Sequence, residues 1–262
     1  MKPALRRKLA HPGIASFALV AMGRSGPRDL ALATVLAMVA GAANAGGFLA
    51  VGAYTSHMTG YLSQFADHLV LLDWRITGVA GLAVAAFICG AGFSALVINI
   101  ARALDRRVQY ALPLAIQGVF MACFATGGLL TSEPGRLFAL WCLCFMMGMQ
   151  NATITKISGA RIRTTHATGM ITDIGIEAGR MVSGWMLPHL GLRPDLAKLR
   201  ILLQLVGAFV AGGILGGFGF AQFGFLFALP LSAILLALSL PLVLACLSHR
   251  PGRKPQPPAK PS

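Results

Sequence analysis

Two histidines, His57 and His166, each stand two residues ahead of a Thr-Gly pair, Thr59-Gly60 and Thr168-Gly169. Each of these elements follows an Asn-Ala pair, Asn44-Ala45 or Asn151-Ala152, at the end of a long apolar run. The match extends to Ser56 opposite Thr165, so the chain carries an internal duplication. The residue types suggest a chemistry. Imidazole changes charge within the physiological pH range, and a Thr-Gly pair opening a helix leaves unpaired N–H groups and the positive end of a dipole. Such a terminus favours an anion or a carboxylate. The amides Asn44, Gln150 and Asn151 lie in apolar surroundings, where an unsatisfied polar group is costly. They must therefore bond another helix or line a polar cavity. After the second copy, Asp173, Glu177 and Arg180 are spaced three to four apart and share one helix face. At membrane depth such a cluster is a functional candidate; at the surface it is a solvated face of ion pairs. The candidate substrate-binding set is thus Asn44, His57, Thr59, Gly60, Gln150, Asn151, Thr165, His166, Thr168, Gly169, Asp173, Glu177 and Arg180.

No Ser-His-Asp spacing, His-Glu-x-x-His element or phosphate loop appears, which argues against an enzyme. Cys89, Cys123, Cys142, Cys144 and Cys246 all fall in apolar runs and behave there as small apolar groups. Cys142 and Cys144 would project to different faces of a helix, so neither a metal nor another cofactor is expected.

The elements that position these residues follow from composition. The 262 residues are 56% hydrophobic and only 11% charged, which places the chain in a lipid bilayer. Uncharged runs of spanning length cover 30–52, 76–101, 108–130 and 137–155, and 201–247 is long enough for two spans if it breaks near Gln222 to Gly224. Six spans are expected. The formal net charge of +14 invites a nucleic-acid partner, but its distribution argues otherwise. With the amino terminus inside, every Lys and Arg except Arg75 and Arg136 falls on the cytoplasmic side. Basicity then reports orientation and contact with anionic lipid headgroups, not nucleic acid.

Residues 1–28 read as a basic cytoplasmic arm, 29–131 and 132–249 as two three-helix repeats, and 250–262 as a disordered Pro-rich cytoplasmic tail. In the first repeat, Tyr61, Leu62, Phe65, Leu69 and Leu72 have helical spacing, with Thr59 as the expected cap of a short amphipathic helix. Ala86, Gly90 and Ser94 form a small-residue seam, mirrored by the overlapping pairs Gly212/Gly216 and Gly213/Gly217. These seams suit an intramolecular interface or a homo-oligomer equally. Three spans per repeat is an odd number, so the second repeat enters the membrane inverted. The expected fold is therefore an all-α membrane protein of six transmembrane helices in two inverted three-helix repeats, each with a short amphipathic or re-entrant motif helix.

Asn44-Ala45 with His57-x-Thr59-Gly60, then Gln150-Asn151-Ala152 with Arg161, Thr164-Thr165, Thr168-Gly169, Thr172-Asp173, Gly175 and Gly179-Arg180, resembles the YoaK family of uncharacterised bacterial inner-membrane proteins. The resemblance spans roughly 29–250 and implies six spans in a bacterial inner membrane, with no settled activity. The chain departs from that family's pattern at Asn44, where Asp is frequent, and at Tyr61, where Asn commonly follows Met-Thr-Gly. Together these features lead to the expectation of a multi-pass inner-membrane protein with both termini cytoplasmic. It would pass a small solute between the motif helices. The rival expectation is a membrane scaffold or regulator that docks partners or anionic lipids through its basic inner face.

Overall fold

The computed structural model describes residues 26–105, 108–126, 132–158 and 167–248, and among these the chain is helix and turn with no strand. Eight α-helices follow one another: α1 (Gly26–Val51), α2 (Met58–Val70), α3 (Trp74–Leu104), α4 (Ala111–Thr126), α5 (Glu133–Ser158), α6 (Ala167–Met186), α7 (Leu196–Phe223) and α8 (Ala228–Ser248). Short 3-10 turns at Pro188–Leu190 and Gly224–Phe227 precede α7 and α8. The basic arm before Gly26 and the Pro-rich tail lie outside the described residues.

Among the described residues four stretches are long and apolar enough to cross a membrane: Pro27–Leu49, Trp74–Ala103, Glu133–Ile157 and Leu196–Cys246. The last covers 51 residues and is bent at Gly224, whose φ of 55° turns α7 into α8 at the break expected near Gln222 to Gly224. The 16 described residues of α4 reach only about 24 Å, short of a hydrocarbon core of about 30 Å. The five runs read from the sequence as six spans are thus, among the described residues, four candidate stretches plus a short apolar helix.

Both long helices that follow a motif helix start in the same way. Asp73 caps α3 by accepting from Ile76 N at 3.2 Å, and Asp195 caps α7 by accepting from Lys198 N at 2.9 Å. Each cap is also reached from the preceding motif helix. His68 Nδ1 lies 3.4 Å from the Asp73 carboxylate, and Glu177 accepts from Asp195 N at 2.9 Å.

The packing reads as pairs. Helix α1 lies against α7, α3 against α5 and α4 against α8, while α2 packs on α3 and α6 on α7. The two tightest crossings are built on glycine. A methyl group on Gly41 would overlap the Phe209 carbonyl and one on Gly212 that of Met38. On the other crossing, a methyl on Gly90 would overlap the Phe145 carbonyl and one on Gly148 that of Phe87. Backbones approach this closely only where no side chain stands between them, as in lipid-embedded helix pairs. The contacts also fix direction. Ala42 meets Gly216 and Gly46 meets Phe220, so α1 and α7 run parallel; Phe87 meets Gly148 and Ser94 meets Thr153, so α3 and α5 do too.

Arg75 at the start of α3 pairs with Glu133 at the start of α5, and both line one cavity with Phe48 and Gly52 at the end of α1. Helix α1 therefore ends on the side where α3 and α5 begin, and α1 and α5 run in opposite directions.

Candidate functional site

The first motif copy is placed by Asn44. It sits seven residues before the last residue of α1, where the chain turns at Gly52 (φ 79°). The segment after the turn folds back along α1, closely enough that a methyl on Gly47 would overlap the Thr55 side chain. The Asn44 side-chain Oδ1 then accepts from both Ser56 N, at 3.2 Å, and the Ser56 hydroxyl, at 3.1 Å. Seven residues of helix rise about 10 Å, so α2 starts about that far inside the end of α1. It is a half-helix that climbs back toward Asp73. His57, not Thr59, is the cap residue, and its side chain makes no capping bond. Thr59 stands inside the first turn, and Gly60 lets the His57 ring fold over the helix where a methyl group would overlap it.

Of the second copy, Asn151 lies on α5 seven residues before its last residue, and the described part of α6 begins at Ala167. Thr165 and His166, with Arg161 and Arg163, fall outside the described residues.

The two copies meet. One cavity of about 480 Å³ is lined by Asn44, Ser56, His57 and Thr59 from the first copy and by Asn151, Ala167, Thr168 and Gly169 from the second. Its apolar walls are Phe87 of α3 and Phe209 of α7. Among the described residues the polar lining consists of amides, hydroxyls and one imidazole, with the first turns of α2 and α6 opening onto it. No carboxylate, Lys or Arg is among these lining residues. Two helix amino termini supply unpaired N–H groups and partial positive charge, and the walls keep the surroundings apolar. Such a chamber is suited to a small polar solute, and to an anion above all.

Other residues singled out from the sequence lie elsewhere. Gln150 is fully buried and donates to Leu36 O at 2.7 Å, tying α5 to α1. Asn151, by contrast, stays in the cavity lining while its amide also donates to Met147 O at 3.1 Å within its own helix. Asp173 pairs with Lys198 at 3.3 Å. Glu177, 1% exposed, pairs with Arg180 at 2.9 Å while holding Asp195 N, so this acid-base cluster fastens α6 to the start of α7.

Phe87 and Phe209 were not singled out from the sequence, although a signal exists. Both stand three residues before a crossing glycine, in Phe87-x-x-Gly90 and Phe209-x-x-Gly212. The same spacing that packs the helices also turns an aromatic ring toward the cavity.

A model of a family described as protein of unknown function (DUF1275) matches residues 32–241, well over half of the chain. This agrees with the resemblance to an uncharacterised family and does not carry the YoaK name. No curated protein and no solved structure matches.

Proposed function

The chain belongs to the DUF1275 family of proteins of unknown function, and we propose that it is a membrane transporter or channel for a small anionic solute, which occupies the cavity between the two motif helices. One observation carries this reading: the amino-terminal turns of both motif helices, α2 and α6, open onto a single cavity of about 480 Å³. Discontinuous helices that point their amino termini at a shared central site recur in secondary transporters built from inverted repeats.

The duplication is supported residue by residue. Met38 and Phe145, Gly41 and Gly148, and Asn44 and Asn151 are separated by one constant offset. Asp73 and Asp195, Phe87 and Phe209, and Gly90 and Gly212 are separated by another. Exchanging the members of each pair turns the α1–α7 crossing into the α5–α3 crossing, with the same residues facing the same carbonyls. The opposite directions of α1 and α5 support reading the two halves as an inverted pair. In this reading the bent stretch of α7 and α8 crosses twice and the short α4 crosses where the bilayer is locally thinned around it, giving six crossings. The distribution of Lys and Arg supports cytoplasmic termini, with the basic face against anionic headgroups, and the family resemblance supports a bacterial inner membrane.

The test is flux in proteoliposomes holding the full-length protein, with chloride, formate and acetate offered in turn under a potassium diffusion potential. Thr168→Val and His57→Ala should each reduce the flux of whichever anion passes. If all three anions pass no faster than through protein-free liposomes, the anion reading fails; if flux is present and neither substitution alters it, the site does.

A further inference from the structure

A second, larger cavity of about 720 Å³ lies where α1 ends and α3 and α5 begin, and Arg75, Glu133 and Arg136 are in its lining. Tyr54 and His57 line this cavity and the central one alike. A wall shared by two chambers and built from two side chains is a partition. Resting on the transport reading, we propose that the larger chamber is the anion-recruiting entrance to the central cavity and that Tyr54 and His57 form the gate between them.

The charge of the entrance is suited to this. Two guanidinium groups face one carboxylate, so the wall carries a net positive charge, and a concave, positively charged wall raises the local concentration of anions. Arg75 already engages Glu133, with its Nε donating to Oε1 at 3.1 Å. That pairing holds the carboxylate at the rim and keeps it from opposing an incoming anion with its full charge.

The gate residues are built to move without disturbing the core. The Tyr54 ring stacks on Phe48, with centroids 4.8 Å apart and planes 11° from parallel. Both residues are 47% exposed, so Tyr54 is no part of the buried core, and swinging it out breaks its stack on Phe48. The Gly52 joint two residues earlier has a backbone that few residues other than glycine adopt readily. His57 needs the bare Gly60 beneath it to keep its ring in the wall.

The experiment reads access, not flux. Full-length protein carrying Thr168→Cys, a position in the central cavity outside the entrance lining, is reconstituted in nanodiscs. It is labelled with anionic sulfonatoethyl methanethiosulfonate or its cationic trimethylammonium counterpart, and the parent chain with its own five cysteines gives the background. Adding Tyr54→Ala should raise the labelling rate roughly tenfold, the ratio that removing about 1.4 kcal/mol of barrier gives. Tyr54→Phe, which keeps the ring, should leave it unchanged. Arg136→Glu should reverse the preference for the anionic reagent. Phe48→Ala, which removes the stacking partner, serves in place of Tyr54→Ala if that variant does not elute as a single species. Equal rates with and without the ring at position 54 overturn the gate, and a charge preference indifferent to Arg136→Glu overturns the entrance. Labelling requires no transport, so these results stand apart from the flux assay: an open gate with no flux rejects transport alone.

Discussion

Asn44 and Asn151 line one cavity from helices that belong to opposite halves of the chain and run in opposite directions. On the proposed reading of the chain as a duplicated unit, these two amides are equivalent residues brought to one place. The crossings themselves, Gly41 with Phe209 and Gly148 with Phe87, lie one helical turn before each Asn on its own helix. Close backbone packing thus sets the position of the amides, and the amides set where the motif helices begin.

The first consequence concerns Asn44, whose side-chain Oδ1 holds the folded-back segment through Ser56 N and Oγ. Asn44→Leu leaves that N–H without its acceptor, which costs about 1–3 kcal/mol, and should lower both thermal stability and flux. Asn44→Asp retains the acceptor and adds a negative charge between two helix amino termini. Its melting temperature should stay near the parent's while anion flux falls, and unchanged anion flux through Asn44→Asp would refute an anionic occupant.

The glycine crossings give a paired prediction. Gly90→Val and Gly212→Val place side chains against the Phe145 and Met38 carbonyls in equivalent settings, and overpacking of this kind costs about 1–3 kcal/mol or more. Both should shift the melting midpoint of the purified protein by similar amounts. Gly217→Ala, where an added methyl meets nothing within 4 Å, should not. A large loss at Gly217 with tolerance at Gly90 would mean that the helices are paired differently.

The sequence made the motif legible because its residue types recur, and it made the seams legible because small residues at four-residue spacing signal close approach. It did not reveal which helix each seam meets. Gly212 and Gly213 belong to overlapping seams, yet Gly212 and Gly216 face α1 at close range while Gly217 faces open space. Small size alone does not choose between those faces. The helix start was misread at Thr59 because a Thr is a strong cap by type, whereas the cap residue His57 makes no side-chain bond that composition would announce. The Asp73 and Asp195 correspondence was hidden because α6, with 20 residues, outruns the 13-residue α2, and the turn at Pro188–Leu190 lengthens the second half further before its cap. The role of Glu177 was undecidable from spacing, since an exposed pair and a buried anchor have the same pattern along a helix.

Glu177 offers a separation of stability from transport. It is buried, pairs with Arg180 and accepts from Asp195 N, all away from the cavity lining. Glu177→Ala removes the acceptor of a charge-assisted bond and should cost about 1.5–3 kcal/mol, seen as a lower melting midpoint. Flux per folded molecule should be nearly unchanged. A selective loss of flux at full stability would instead make this carboxylate part of the pathway.

The last prediction turns on a place where the two halves differ. Between α3, α4 and α5, Ser94, Gln117 and Thr153 are fully buried and bonded together, Ser94 Oγ to Thr153 Oγ1 at 2.8 Å and Gln117 Nε2 to Thr153 Oγ1 at 3.3 Å. The single Thr153 O–H donates to Met149 O at 2.8 Å, so Ser94 must donate to Thr153. At the corresponding positions of the other crossing stand Gly46 and Gly216, with the Phe220 ring filling the space above Gly46. The fold therefore closes that crossing without a polar cluster, and Thr153 is the hub of an addition. Removing the hub strands two buried donors, whereas removing Gln117 strands none and also deletes its Oε1, which has no partner. Buried unpaired groups cost about 1–3 kcal/mol each, although hydrogen bonds between membrane helices average nearer 0.6 kcal/mol. Thr153→Val should consequently lower the melting midpoint more than Gln117→Leu, and the double substitution Ser94→Ala with Thr153→Val should recover part of the loss by removing one stranded donor. If Gln117→Leu proves the most damaging of the three, that amide has a partner beyond Thr153, and the cluster is a required part of the crossing.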